Sequence, residues 1–136
     1  HKERATTVLA PQHRLRSTAL FGQTIRKGRK KGSRTVVVHV FAGGGARAEE
    51  LPVPLQEAST AGPRMGLVVS KAVGNAVTRH DTSRKLRNAF RAVLDEREIE
   101  FPAGTCVVIR ALPASARASN EELVADVRSC IRRALR

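Results

Sequence analysis

A run of basic side chains between residues 71 and 91 carries most of the chemistry that this sequence offers. The segment KAVGNAVTRHDTSRKLRNAFR holds six lysines or arginines and one acid, Asp81. Its periodicity predicts a helix over about 79–97, with basic side chains opposite the apolar face. Neighbouring cations that have no acid beside them repel one another unless an anion binds. We therefore favour a polyanion-binding helix over an ordinary solvated face. The cations on this predicted outer side are Arg84, Arg87 and Arg91.

The charge of the whole chain supports the same partner. The 136 residues carry a formal net charge of +13, with a sequence pI of about 11.5. Residues 1–48 hold 11 basic and 1 acidic side chains, whereas residues 92–136 hold equal numbers of each. Such a balance is typical of proteins that bind a polyanion. The two separated basic segments predict one surface that is assembled in the fold.

Catalytic and metal-binding motifs are missing from the sequence. It contains no GxSxG, HExxH or Walker loop, and its four histidines are scattered. The GGG at 43–45 precedes no helix start, so a flexible loop is the better interpretation. Cys106 and Cys130 lack metal-ligand spacing and are predicted to be small buried residues of a cytosolic protein. No apolar run is long enough to cross a membrane, and no signal-like segment is present.

The elements that must position the basic residues form an α/β sandwich, in which helices pack on a small mixed sheet. We predict one domain over 1–136, with a loose basic arm at 1–8 and a variable loop at 43–63. The expected order is α-β-β-β-α-β-α. The first helix is capped by Ser17 or Thr18 and ends at Gly28, before a loop RKKG. The predicted strands are 35–42, 64–70 and 104–112, with a weaker edge strand around Leu51–Val53.

Two later helices have clear apolar faces. In the helix over 79–97 this face is Leu86, Ala89, Phe90, Val93 and Leu94. The closing helix, to about Ala134, is predicted to start at a capping box of Ser119 and Glu122. Its apolar face is Leu123, Val127, Ile131 and Leu135.

Several of these segments together resemble the protein subunit of bacterial ribonuclease P. The strongest part is the stretch SKAVGNAV at 70–77, followed by Arg79 and by RKLRNAFR at 84–91. The opening helix, with Leu15-Arg16-Ser17, Phe21 and Lys27-Gly28, is also similar to that family. So are Val107-Val108-Ile109, Pro113-Ala114-Ser115 and the closing helix. The resemblance covers most of residues 9–135, with 43–63 as a variable insert.

The resemblance implies a more specific role than the amino-acid composition can indicate. Members of the family are small noncatalytic partners of a large catalytic RNA, and the assembled enzyme removes the 5′ leader of precursor tRNA. The hydrolysis uses Mg²⁺ held mainly by the RNA. The family fold also has a left-handed βαβ crossover around the basic helix, although such crossovers are right-handed in about 98% of cases.

The family's functional residues can be carried over to matching positions. Contacts with the catalytic RNA are implied for Lys71, Asn75, Arg79, Arg84, Lys85, Arg87 and Arg91. A cleft for the leader would be lined by Phe21, Ile25, Val37 and His39, where His39 stands at a position that is often aromatic. Further basic contacts are predicted at Arg14, Arg16, Lys27, Arg29, Lys30, Lys31 and Arg34.

The sequence departs from the family pattern where the helix begins. The usual Arg-Asn-Arg is Arg79-His80-Asp81 here, and a further basic position is Ser83. Asp81 is expected to cap the helix, to approach a bound Mg²⁺, or to pair with Arg84 or Lys85. The strong charge at 26–34 is expected to compensate for the lost phosphate contact.

Two other classes of function remain open on the sequence. A ribosomal or other structural RNA-binding protein would share the charge and the small α/β build. A DNA-binding regulator would bind duplex DNA at physiological salt, but no helix-turn-helix or zinc finger is present, so DNA is not the expected partner. With four Phe and neither Tyr nor Trp, a broad base-stacking platform is not expected either.

Overall fold

The computed structural model describes residues 13–42, 63–102 and 104–136, which form three α-helices and a four-stranded sheet. The helices are α1 (Thr18–Lys27), α2 (Ala76–Glu96) and α3 (Asn120–Leu135). The strands are β1 (Arg29–Gly32), β2 (Val36–Phe41), β3 (Arg64–Val68) and β4 (Cys106–Ala111), and a short 3₁₀ turn follows at Pro113–Ala116. In these three stretches of chain, no helix is both long and apolar enough to span a bilayer.

The sheet has the strand order β1-β2-β4-β3 and is mixed. β2 is antiparallel to both β1 and β4, whereas β3 runs parallel to β4. Because successive side chains of a strand point to opposite faces, the register assigns each residue to one face. Val38, Ile109 and Val107 share the face covered by α2 and α3, and Cys106 and Val108 face α1. The α+β sandwich predicted from the sequence is confirmed.

The larger core lies between the sheet and the helices α2 and α3. On α2 the buried side chains are Thr82, Leu86, Ala89, Phe90 and Val93, as the apolar periodicity predicts except for Thr82. Phe90 is fully buried and meets Phe101 edge to face, with ring centroids 6.4 Å apart. On α3 the residues Leu123, Val127 and Ile131 are fully buried, while Leu135 is half-buried. This core holds α2 so that its remaining sides point away from the sheet.

The crossover from β3 through α2 to β4 is left-handed, as the resemblance implies. The Arg64 N–H donates to the Thr105 carbonyl at 3.2 Å, so the odd-numbered residues of β4 direct their backbone groups to β3. The same residues turn their side chains toward α2. Consider an L-residue in a strand that runs upward and whose side chain points toward the viewer. The N–H and C=O groups of that residue then point to the viewer's right. Seen from α2 with both strands running upward, β3 therefore lies to the right of β4. The chain leaves β3, passes through α2 in front of the sheet and returns to its left in β4, which makes the crossover left-handed.

The loop predicted for RKKG is wrong, because residues 29–32 form strand β1. It pairs with β2 in the register Lys30↔His39 and Gly32↔Val37. A sequence of charged residues hides the alternation that marks a strand, yet Lys and Arg are common on sheet edges, where they discourage further pairing. The described elements also read α-β-β-β-α-β-α, but they include β1, which was not predicted and precedes the first predicted strand. The strand proposed around Leu51–Val53 and the arm at 1–8 lie outside the described residues.

Two of the three helices have the N-cap that the sequence predicts. Ser17 accepts a hydrogen bond from the Leu20 N–H, and Ser119 accepts one from the Glu122 N–H. The predicted start of α2 at about 79 is wrong, because the helix begins at Ala76 and its N-cap is Asn75. An Asn before an apolar turn is an ordinary N-cap, so the sequence contained the signal.

Both cysteines are free and buried, as predicted. Removal from water disfavours a charged thiolate. Burial raises the pKa of Cys106 to about 11, and burial also raises that of Cys130. Neither thiol is therefore activated for nucleophilic chemistry, and both act as small apolar side chains.

Candidate nucleic-acid interface

Helix α2 carries basic side chains on the sides that the core leaves uncovered. Arg84 is exposed, and Arg87 and Arg91 are half-buried, all off the buried stripe. Lys85 lies on another side of the helix, where its Nζ donates to the Ala118 carbonyl at 3.2 Å. Arg79 is half-buried, and its Nε has no hydrogen-bond partner in the described part of the chain. The predicted basic residues therefore lie on several sides of α2, outside its buried stripe, and do not form a single row.

The prediction that the outer cations of α2 lack acids beside them is wrong for two of them. Arg84 pairs with Asp81 at 2.7 Å, and Arg91 lies 3.6 Å from Asp95. Spacings of three and four residues on a helix place these acids beside the arginines. The hydrogen bond from Arg84 lowers the pKa of Asp81, so this carboxylate is charged at neutral pH. Both pairs face solvent, where ion pairs are weak and a phosphate can compete for the arginine.

The turn before α2 brings an exposed lysine to the start of the helix. Gly74 has a φ of +156°, and a Cβ there would lie 2.8 Å from Thr78 Cγ2, so the turn needs glycine. The Asn75 side chain accepts a hydrogen bond from the Thr78 N–H at 2.9 Å. Asp81 lies in the second turn and is not a cap, so of its three expected roles the structure shows the pairing with Arg84. Lys71 is exposed in the same turn.

A cavity of about 390 Å³ connects the first basic segment with α2. Residues 14–16 run beside β3, where the Leu15 N–H donates to the Met65 carbonyl at 3.0 Å. Arg14, Arg16 and Arg87 all line the cavity, and none of the described residues in its lining is an acid. This supports the prediction that the separated basic segments meet in the fold.

The ring of Phe21 forms one wall of this cavity and rests on β3 at Gly66. A Cβ at position 66 would lie 2.4 Å from Phe21 Cε2. The glycine therefore leaves the space that the ring occupies against the strand. Phe21 is half-buried, so one side of its ring stays open beside the basic cavity. An unpaired base could stack on this open side.

The α1 face of the sheet contains the other predicted leader residues. Ile25 and Val37 are half-buried, whereas His39 is only 3% exposed. Both ring nitrogens of His39 lack a hydrogen-bond partner in the described stretches. Burial, and then the charges of Arg110 and Lys30, lower its pKa, so the ring is neutral at pH 7. His39 is on the predicted face, but it lies beneath the surface that a ligand would meet.

Most of the basic stretch at 26–34 lies far from the start of α2. Lys30 is exposed, and Lys31 half-buried, on the edge strand β1, at the opposite side of the sheet from β3. The exposed Arg29 donates to the Arg136 carbonyl, and Lys27 is exposed at the end of α1. These residues do not stand beside Asp81, so the compensation predicted for 26–34 is not local. Only Arg34 approaches the turn before α2, while it donates to Glu122 from Nε at 3.0 Å.

Two exposed arginines near these sites were missed from the sequence. Arg110 interrupts the buried strand β4 and emerges on the α1 face, next to His39. Its signal was a single cation at an alternate position of an otherwise apolar strand. Arg117 lies just after the 3₁₀ turn and lines a second cavity with Arg34. No local pattern marks it, because its surroundings come from three separate parts of the chain.

Metal ligands are not clustered in the part of the chain that the structure describes. Within residues 13–42, 63–102 and 104–136, no three His, Cys, Asp or Glu side chains lie close enough to hold an ion together. Asp81, the residue expected to approach Mg²⁺, is engaged by Arg84. Among these residues the carboxylates therefore form no ready-made ligand cluster, and a Mg²⁺ ion here would need phosphate oxygens and waters to complete its coordination.

Comparisons with known proteins agree with the resemblance. The family model described as Ribonuclease P matches residues 9–135. The ribonuclease P protein component of Corynebacterium jeikeium is 82% identical over 128 residues, which cover 94% of this chain and 98% of that protein. That of Corynebacterium urealyticum is 49% identical over 130 residues, covering 93% and 98%. The Staphylococcus aureus RNase P protein structure has the same fold, with a TM-score of 0.64 at 19% identity, covering 90% of this chain and 94% of that one.

Proposed function

The chain belongs to the ribonuclease P protein family, and from this membership we propose how it assists the catalytic RNA of that enzyme. As a ribonuclease P protein it is one part of an RNA–protein enzyme that processes tRNA, and the RNA subunit is its partner. We propose that it contributes no catalytic group and acts in the cytoplasm by binding two RNAs. These are the catalytic RNA and the 5′ leader of precursor tRNA, which the assembled endoribonuclease removes.

The catalytic RNA is proposed to lie along α2 and the turn before it. This surface presents Lys71, Asn75, Arg84, Arg87 and Arg91, with Arg79 and Lys85 at its margins. Each phosphate that these cations neutralise releases counterions, which gives affinity that depends steeply on salt. The ion pairs at Arg84 and Arg91 hold the guanidinium groups in place until phosphates replace the carboxylates. The single observation that carries this proposal is the family match over 9–135, with its basic motif located on α2.

The leader is proposed to cross the α1 face of the sheet. Phe21 and Ile25 from α1 and Val37 from β2 offer apolar contacts, and Lys30 and Arg110 offer charges for phosphates. Single-stranded RNA is usually held by this combination of stacking and positive charge. The neutral ring of His39 is buried beneath the surface of this proposed cleft.

The Mg²⁺ that hydrolysis requires is proposed to be held mainly by the RNA subunit. The ion supplies charge stabilisation and an activated water during phosphodiester cleavage. The residues of this chain serve to position the two RNAs and to neutralise phosphates between them. A protein of this charge would lower the Mg²⁺ concentration that the RNA needs, because both cations screen the same phosphates.

Reconstitution with the cognate catalytic RNA tests the proposal. Leader removal from precursor tRNA would be measured at low Mg²⁺ with and without the protein, and we expect strong stimulation. The Phe21→Ala variant should lower affinity for precursor tRNA by about tenfold, as expected for the loss of one stacked base, and leave mature tRNA within twofold.

Two results would contradict these assignments separately. If the protein binds ribosomal RNA and fails to stimulate leader removal, the subunit role is lost. If Phe21→Ala weakens precursor and mature tRNA equally while the fold is intact, the subunit role stands and the leader cleft is misplaced.

A further inference from the structure

A second cavity, of about 470 Å³, lies at the end of the sheet beside the turn that precedes α2. One wall is formed by Ala72 and Val73 of that turn, and another by the 3₁₀ turn with Pro113, Ala114 and Ala116. Arg34, from the connection between β1 and β2, and Arg117 complete the lining. The volume is within the range of small-molecule sites, about 300–1,000 Å³.

The lining of this cavity combines an apolar floor with two positive charges. Its small side chains leave room for a flat group, and the residues of the described stretches that line it include no acid. Arg34 donates to Glu122 from Nε and Nη2, so Nη1 keeps its hydrogens for another acceptor. Arg117 is exposed, and its guanidinium has no hydrogen bond or ion pair within the described residues. A planar base with a phosphate attached matches both features.

The walls of the cavity are held by their own hydrogen bonds. In the 3₁₀ turn the buried Ser115 donates from its hydroxyl to the Leu112 carbonyl at 2.6 Å. Lys85 of α2 reaches the Ala118 carbonyl just beyond, at 3.2 Å. On the other side, Val73 is buried and its N–H donates to the Ser70 carbonyl at 3.1 Å. A site that is formed before binding loses less entropy when it is occupied.

The position of the cavity indicates which RNA would reach it. Val73 and Ala116 pack on the core beneath α2 and α3, so the cavity lies on that layer of the sandwich. The proposed leader cleft is on the opposite, α1 face of the sheet. The cavity continues the surface of Lys71 and Asn75, along which the catalytic RNA is proposed to lie. An unpaired nucleotide of that RNA could enter, whereas a base-paired helix is far too wide.

We propose that this cavity receives one unpaired nucleotide of the catalytic RNA, with its base between the 3₁₀ turn and Ala72 and its phosphate held by Arg34 and Arg117. This assignment rests on the proposed function and adds a base-reading site to a surface otherwise made for phosphates. It gives the protein a means of recognising an RNA by an unstacked base at one position, in addition to charge.

The first test fills the cavity without changing the charge. In Ala114→Trp the indole would occupy the space of the base, and Ala125→Trp, at an exposed position of α3, is the matched control. Binding to the cognate catalytic RNA would be measured from low to high salt. We expect Ala114→Trp to weaken binding about tenfold, as for one displaced base, with the slope of log affinity against log salt unchanged. Ala125→Trp should bind as the wild-type protein does.

The second test removes one of the two positive charges that line the cavity. Arg117→Ala should weaken binding and make the salt slope shallower by about 0.7–0.9, the loss of one phosphate contact. Arg117 is exposed, so this variant remains decisive even if tryptophan at 114 disturbs the 3₁₀ turn. Arg132→Ala on α3 removes the same charge from a pair with Glu98 and serves as the control. Wild-type affinity and slope in Arg117→Ala would overturn the phosphate contact.

Chemical probing of the RNA bases identifies the nucleotide. The wild-type protein should protect one unpaired base that becomes reactive again with Ala114→Trp, while the other protected positions stay protected. An unchanged pattern, or an even loss of all protection by a folded variant, would overturn the proposal. If the wild-type protein neither binds this RNA nor stimulates leader removal, the proposed function itself fails. If it does both and the variants match it, only the nucleotide site is wrong.

Discussion

At the scale of single residues, neighbours that are remote in sequence decide what a side chain can do. His39 is next to hydrophobic strand residues in the sequence, but in the fold it lies between Lys30 and Arg110 and is nearly fully buried. Its ring nitrogens have no partner among the described residues, so a charge on the ring would be costly. Arg84 is likewise one of a row of cations in the sequence, and the fold of the helix gives it Asp81.

His39 should make the protein less stable in mild acid. Its pKa is lowered in the folded state, so the unfolded chain takes up a proton below about pH 6.5 that the folded chain rejects. The free energy of unfolding should therefore fall as the pH drops below 6.5, by at most about 1.4 kcal/mol per pH unit from this group.

The variant His39→Leu should reduce that fall, and denaturant unfolding at pH 7.5 and 5.5 measures it. At neutral pH we expect little loss of stability, because leucine removes two buried polar atoms that have no partner. His80→Gln, at an exposed position of α2, is the control and should keep the wild-type pH dependence. The same pH dependence in His39→Leu and wild type would assign the acid sensitivity to other groups.

At the scale of elements, close packing between helix and strand positions the residues of the proposed leader cleft. The end of α1 approaches β2 so closely that a Cβ at Gly28 would lie 2.4 Å from the Thr24 carbonyl oxygen and 2.9 Å from that of Val40. Gly66 of β3 leaves the space for the ring of Phe21 in the same way. Two glycines thus set how closely α1 lies on the sheet, and with it the place of the proposed cleft.

Gly66→Ala should impair the leader cleft without touching its charge. The new Cβ would meet the Phe21 ring at 2.4 Å, so the ring must move off β3. We expect weaker binding of precursor tRNA by the reconstituted enzyme, unchanged binding of mature tRNA, and a loss of stability of about 1–3 kcal/mol from overpacking.

Gly32→Ala on β1 is the matched control for that change. A Cβ there would be 3.7 Å from Val37 Cγ2, an ordinary contact, so both stability and affinity should stay near wild type. If Gly66→Ala also leaves the affinity for precursor tRNA unchanged, the position of the Phe21 ring does not matter for the leader.

At the scale of the whole molecule, the sheet separates two positively charged surfaces. α2 and α3 cover one face, and α1 with the exposed Arg110 lies on the other. The proposed function uses this arrangement to bind two RNA segments at once, one on each side. The two surfaces meet at the cavity that Phe21 and Arg87 line, but Asp81 and Arg110 are not part of that lining, so changes at these two positions should have little effect on each other.

Two substitutions that are expected to change RNA affinity in opposite directions test this separation. Asp81→Asn frees Arg84, so binding of the catalytic RNA should tighten a few-fold and its salt slope should steepen by up to about 0.9. Arg110→Ala should weaken only the binding of precursor tRNA by the assembled enzyme. In the double variant the two changes should add in free energy.

The control for Asp81→Asn is Glu98→Gln, which removes an acid from the Glu98–Arg132 pair and should leave RNA binding unchanged. Strong non-additivity of Asp81→Asn and Arg110→Ala would mean that the two surfaces act as one site.

The regular elements could be predicted well from the sequence, and the site only in part. The stripe Leu86, Ala89, Phe90 and Val93 follows from helix periodicity alone, and it is buried as predicted. Strand β1 could not be recognised, because it consists of three cations and a glycine and only pairing with β2 makes it a strand. The pairing with Arg84 was one of three options for Asp81; the helix start at Asn75 excludes the cap, and the hydrogen bond from Arg84 shows the pairing.

The sequence by itself determined the class of fold, the polyanionic partner and the family, because these depend on periodicity, composition and short motifs that need no contact between distant residues. The tertiary structure decided which cations are paired, that His39 is buried, and that Arg34, Ala72, Ala114 and Arg117 line one cavity. These properties come from residues that are far apart in the chain and meet only when the sheet and its helices pack together.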